Sequence, residues 1–219
     1  AAAAAAGPAA APGWRVLFLG DSLVTGVGGS QSAAADGGGP PLARRVARNL
    51  ADRLGLEVEW RALGSTGGDL RCLRETLAPR IDGRYDVVVI MCGLNDFKQL
   101  ARGEWRTPWG FRAELERLIV DVRSRAGPAC RVVLPAYPVG VAGIGEPLKS
   151  LVGAVAGAWD AQKRRLAERA GTTFVEVFET PGDGVAYTAS DNVHPNESGY
   201  ELWAQHIVGA MMVDGAGAS

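Results

Sequence analysis

The chain has 219 residues, 47% of them hydrophobic and 21% charged, which suits one globular domain with a core large enough to fold without disulfides or a structural metal. Its 23 Lys and Arg against 24 Asp and Glu leave a formal charge of −1, which argues against a nucleic-acid partner and against a polybasic membrane anchor. The longest apolar run, Val87-Val88-Val89-Ile90-Met91-Cys92, is far shorter than the roughly 20 residues of a membrane-spanning helix.

Residues 1–13 are almost all Ala, Pro and Gly and are expected to form a disordered leader ahead of a single domain over residues 14–213, with 214–219 as a flexible tail. The leader lacks the charged start and apolar centre of a signal peptide. That favours a cytoplasmic or organellar protein over a secreted one, and leaves a targeting segment upstream open. Residues 15–19 predict a buried strand and 41–54 a helix; 57–62 predict a second strand and 69–77 a second helix. Residues 86–91 are the clearest strand, because Val-Val-Val-Ile is β-branched throughout. Phe111, Leu115, Leu118, Ile119 and Val122 have helical spacing, and 131–134 return to strand. A helix over 151–170, a strand over 172–177 and a helix over 196–212 complete the chain. Five strands, each followed by a helix, predict an α/β, flavodoxin-like doubly wound sandwich with a five-stranded parallel sheet and helices on both faces. Ligands then belong in the loops beyond the carboxyl ends of the strands.

Three cysteines (Cys72, Cys92, Cys130) cannot all pair, and no CxxC or His/Cys cluster suggests zinc, so neither a metal nor an organic cofactor is expected. The chemistry-bearing residues fall at strand ends. The first strand runs into Gly20-Asp21-Ser22-Leu23, where Ser22 could be a nucleophile or, as serine usually is at such a position, a helix cap. The second runs into Gly64-Ser65-Thr66-Gly67-Gly68, a stretch where backbone can approach a ligand, or simply turn. The third runs into Gly93-Leu94-Asn95-Asp96, with Asn95 able to aim an amide into the same crevice. After the fifth comes Asp191-Asn192-Val193-His194-Pro195, a carboxylate three residues ahead of an imidazole that it could orient. His206, the other histidine, lies among apolar residues with no carboxylate three or four residues before it, which points to packing.

With these four blocks in this order, the sequence resembles the SGNH (GDSL-type) serine hydrolases over about residues 16–203. The resemblance implies a serine esterase acting on small or lipid-like carboxylic esters or thioesters, with Ser22, His194 and Asp191 as a triad. It further implies an oxyanion hole from the N–H groups of Ser22 and Gly64 and the side chain of Asn95. The second block matches least well, since Arg61-Ala62-Leu63 lacks the asparagine that often precedes the family's glycine; Gly67 is the alternative donor. A histidine base must be neutral, so activity is expected to rise with pH through the ordinary imidazole range, about 6.5. Trp105, Trp109, Val139, Val141 and Ile144 could line an acyl groove, or pack beneath long loops. A carbohydrate O-acetylesterase or an acyltransferase of the same family is the alternative reading, and a flavodoxin-like binding module a more distant one. A dinucleotide site fails at Gln31, where a third glycine is needed; a P-loop fails for want of a lysine; and the GxSxG elbow fails at Val24. The expected partner is a small-molecule ester, and the sequence leaves the oligomeric state open.

Overall fold

Alternation along two central strands divides the interior in two. The computed structural model describes residues 3–6, 13–30, 38–96, 107–137, 139, 145–169, 171–180 and 185–215. Strands β1 (Ala3–Ala6), β2 (Trp14–Gly20), β3 (Val58–Gly64), β4 (Val87–Met91), β5 (Arg131–Pro135) and β6 (Thr172–Val175) form one sheet in the order β1-β3-β2-β4-β5-β6. From β2, Val16 and Phe18 join a core with α2 (Pro41–Leu54) and α6 (Glu197–Gly215), supplied by residues such as Leu42, Val46, Tyr200 and Trp203. Leu17 and Leu19 point the other way, into a core with α3 (Leu70–Cys72), α4 (Pro108–Ala126) and α5 (Leu148–Ala167). Helices on both faces of the sheet make the fold doubly wound, as the strand–helix alternation predicts. The remaining short helix, α1 (Ser22–Thr25), follows β2 directly.

Five strands pair in parallel, β3 with β2, β2 with β4, β4 with β5 and β5 with β6. The sixth departs from expectation. Ala3–Ala6, inside the stretch expected to be a disordered leader, pairs antiparallel with β3 in the register Ala3↔Gly64 to Ala6↔Arg61. An alanine run prefers helix, but the open backbone edge of β3 offers hydrogen bonds that override local preference. At the other end α6 runs to Gly215, two residues into the expected tail. Helix α3 continues through a π turn, Leu73–Leu77, and a 3₁₀ turn, Ala78–Arg80. None of the described helices is long and apolar enough to cross a membrane.

The chain leaves β2 toward β3 on one side and returns to β4 on the other. The ends of β2 and β4 therefore flank the switch point at which such sheets open a crevice.

Candidate active site

Ser22 stands on the first turn after β2. Gly20 permits that turn, because a Cβ there would lie 2.6 Å from the Met91 carbonyl oxygen on β4. Asp21 caps α1: its Oδ1 accepts the Leu23 N–H (3.1 Å) and its Oδ2 accepts from the Asn95 amide (3.0 Å). Asp21, and not Ser22, is thus the cap of α1, the structural role that the sequence left open for Ser22. Ser22 is buried to 8% exposure, with its Oγ 2.9 Å from His194 Nε2.

His194 arrives from the loop before α6. Thr188 and Pro195 form an antiparallel bridge, and the Ala189 N–H donates to the His194 carbonyl (2.8 Å), so the loop closes on itself. Asn192 adopts φ 58, a left-handed conformation that asparagine tolerates. Asp191 Oδ2 lies 2.5 Å from His194 Nδ1, while Oδ1 accepts the N–H groups of Val193 (2.9 Å) and His194 (3.0 Å). Burial pushes the Asp191 carboxyl up, but the bonds from the His194 and Val193 N–H groups and the His194 ring outweigh it, and the net shift is downward. The carboxylate is therefore charged at neutral pH, as an orienting group must be. His206, by contrast, sets its Nε2 against the Glu176 carbonyl (2.8 Å) and its ring beside Phe178, away from this cluster.

Asn95 is 3% exposed in a helical turn over residues 94–96 beyond β4. Its amide donates to Asp21 Oδ2 and to the Gly68 carbonyl (3.1 Å). Gly64, the expected second-block donor, is placed differently. It is the last residue of β3, opposite Gly20, and a Cβ on it would lie 2.6 Å from Thr25 Cγ2. Its lack of a side chain lets α1 seat on the sheet. The turn that meets Asn95 is one step further on: the Gly68 N–H donates to the Ser65 carbonyl (2.8 Å), with Gly67 at φ 80. Sequence reasoning passed over Gly68 because three glycines in five residues carry the same local signal.

Beside Leu94, a narrow cleft of about 10 Å³, room for about one water, is lined by Cys92, Gly93, Leu94, Tyr137, Val155 and Trp159, among others. Tyr137 follows β5 and belongs to the same core cluster as Leu23 and Tyr200. Burial raises its hydroxyl well above the ordinary tyrosine range, and the Asp21 and Asp191 carboxylates push in the same direction, so it remains a neutral hydroxyl. Burial likewise holds the Cys92 thiol protonated, with a pKa pushed up to about 12. Of the five residues offered for a groove, Trp109 is 64% exposed at the start of α4, and Val139 packs against the core; neither is among the residues lining this cleft. Trp105, Val141 and Ile144 lie outside the described residues. The cleft's α5 wall went unnoticed in the sequence because Val152, Val155 and Trp159 have the spacing of ordinary core packing.

Residues 18–202 match the GDSL-like lipase/acylhydrolase family. Among solved structures, a lipase from a goat rumen metagenome is 20% identical at a TM-score of 0.68, covering 90% of this chain and 97% of that one. A family 3 carbohydrate esterase of Clostridium thermocellum is 17% identical at 0.66, covering 91% and 96%. An acetyl-xylooligosaccharide esterase of Geobacillus stearothermophilus is 20% identical at 0.63, covering 90% and 94%. None of the curated proteins matches the sequence significantly.

Proposed function

Because the chain belongs to the GDSL-like lipase/acylhydrolase family, whose members hydrolyse esters, we propose that it cleaves esters of short acyl groups through Ser22, His194 and Asp191. The observation that carries this reading is the unbroken line of contacts from Asp191 Oδ2 through the imidazole to Ser22 Oγ. In the first half-reaction, His194 Nε2 takes the Ser22 proton as Oγ bonds to the carbonyl carbon. The leaving alcohol's C–O bond then breaks, and the alcohol departs with that proton. Water repeats the sequence on the acyl-enzyme, and Ser22 recovers its proton. Asp191 holds the imidazole in the tautomer that keeps Nε2 free to accept.

The developing oxyanion is received by the main-chain N–H of Ser22 and by the Asn95 amide. In the resting site that amide already donates to Asp21 and Gly68. The neutral Gly68 carbonyl is the weaker acceptor, so its bond is the one given up to the oxyanion. The third donor expected from the resemblance comes from the Gly67–Gly68 turn rather than from Gly64.

Acyl size follows from the cleft. With room for about one water beside Leu94, it offers no bed for a long acyl chain. The same observation favours an O-acetylesterase of carbohydrates as a second reading, in keeping with the names of two of the similar structures. A series of 4-nitrophenyl esters from acetyl to decanoyl tests the proposal. The highest kcat/KM is expected at two to four carbons, with loss of turnover in Ser22→Ala and His194→Ala. A preference for long chains would refute the size argument, and turnover surviving Ser22→Ala would refute the nucleophile. Acetate release from acetylated xylo-oligosaccharides separates the two readings. Partition of the acyl group to an added alcohol would identify an acyltransferase.

A further inference from the structure

Residues 26–30 run as one strap from the nucleophile to the base. At the near end the N–H groups of Gly26 and Val27 both donate to the Ser22 carbonyl (3.0 Å each). In the middle Gly28, at φ 90, presses on the histidine loop. A Cβ there would lie 2.5 Å from the Pro195 carbonyl oxygen and 2.9 Å from His194 Cβ. The Tyr200 hydroxyl donates to the Val27 carbonyl (2.6 Å) from α6. The far end is held by a pair of charged side chains. The Ser30 N–H donates to Glu197 Oε1, and the Ser30 carbonyl accepts from Arg44 Nη1 (2.7 Å). That same nitrogen donates to the Gly39 carbonyl (2.8 Å), while Arg44 Nη2 meets Glu197 Oε2 (2.9 Å).

Arg44 is only 2% exposed. Burying a guanidinium for stability alone is poor economy, since apolar residues of similar volume commonly serve as well. An apolar side chain cannot grip two main-chain carbonyls and a carboxylate in one plane, whereas the arginine fork does so with fixed angles. The structural consequence falls on the strap, and through the strap on His194.

We propose that Arg44 and Glu197 are positioning residues for the reaction, holding residues 26–30 against the histidine loop so that His194 Nε2 stays in line with Ser22 Oγ. This inference rests on the triad reading. Neither side chain touches substrate. Their effect is on the alignment of nucleophile and base, where a displacement of about 1 Å can cost about 100-fold in rate.

The test measures three quantities in folded Arg44→Lys, Arg44→Met, Glu197→Gln and Gly28→Ala proteins. These are the rate of labelling by a small fluorophosphonate, kcat against KM for a short ester, and the His194 Nδ1 proton resonance. Arg44→Lys keeps the charge but loses the fork. Labelling and kcat are expected to fall about 10- to 100-fold together in Arg44→Lys and Arg44→Met, with KM within about twofold. The Nδ1 resonance should move or broaden in the same variants. Asn49→Ala loosens the same α2–α6 contact at Glu201 without reaching the strap, and is expected to label at the wild-type rate. Glu197→Gln and Gly28→Ala keep the test available if the Arg44 variants do not fold. Wild-type labelling rates in folded variants, or an equal loss in Asn49→Ala, would overturn the inference while leaving the triad intact. Loss of the triad reading would show separately, as labelling that survives Ser22→Ala.

Discussion

Asp191 divides its work between its two oxygens. Oδ1 ties the loop by taking the Val193 and His194 N–H groups, and Oδ2 faces the imidazole. In Asp191→Asn the amide oxygen can still tie the loop, but an NH₂ group then faces Nδ1 and favours the tautomer that protonates Nε2. We expect kcat to fall about 10³- to 10⁴-fold with little change in Tm; a comparable fall in Tm would mean that the carboxylate acts mainly on folding. Asn95→Ala removes a proposed oxyanion donor and should cost about 10²–10³ in kcat, while a loss confined to KM would take Asn95 out of the transition state. On the acid side the sign is set by the shift in Asp191. Its carboxyl is held below the ordinary range, near 3.9 for a free aspartate, so it stays charged over the range in which a histidine base must be neutral to act. The rate should therefore drop on acidification with the slope of one proton, and a two-proton limb would contradict the assignment. Ser22, Asn95, Asp191 and His194 are legible from sequence as candidates because they stand in short, spaced blocks, the first two just beyond β2 and β4 and the last two in the loop before α6. Gly68 and Tyr137 are not, since one is a turn glycine among others and the other an aromatic that only the third dimension brings to the cleft.

Short elements carry the precision of the site. Helix α1 has four residues and too few internal hydrogen bonds to stand alone, so the sheet beneath must hold it. Gly64 is where it rests. Gly64→Ala would put a Cβ 2.6 Å from Thr25 Cγ2 and 3.0 Å from the Thr25 nitrogen, and should destabilise the fold by about 1–3 kcal/mol. Urea unfolding measures this, and a change below about 0.5 kcal/mol would show that α1 is not seated there. The same element explains a sequence error. The second strand, expected over residues 57–62, extends to Gly64, because Leu63 and Gly64 continue the pairing with Leu19 and Gly20. A glycine at a strand end reads as a turn, yet here a close helix demands it. Helix α5, expected from residue 151, begins at Leu148, since Leu148 and Leu151 are exposed and no apolar stripe marks its first turn.

Across the molecule, the clasp between α2 and α6 joins the two ends of the domain. Arg44 and Arg45 meet Glu197, and Arg45 and Arg48 meet Glu201. Burial pushes both glutamate carboxyls up, but the bonds from Arg45, with Ser30 on Glu197 and Asn49 and Gln205 on Glu201, leave both lowered. A lowered folded pKa stabilises above the unfolded value, about 4.3 for glutamate, and that stabilisation is lost as pH falls through the folded value. Tm should decline steeply below about pH 4.5 in the wild type, and less steeply in Glu201→Gln. Parallel curves for the two proteins would dismiss the clasp as a source of acid sensitivity. The doubly wound architecture was readable because continuously buried strands alternate with amphipathic helices. The antiparallel Ala3–Ala6 strand was not, because its alanines carry no strand signal and only the edge of β3 selects that conformation.

The central claim, an activated Ser22, is tested most directly by intact mass after exposure to a fluorophosphonate, for wild type and Ser22→Ala side by side. One adduct on the wild type and none on the variant is the expected result. A well-folded wild type that takes no adduct, or a Ser22→Ala protein that still takes one, would contradict the assignment of the nucleophile.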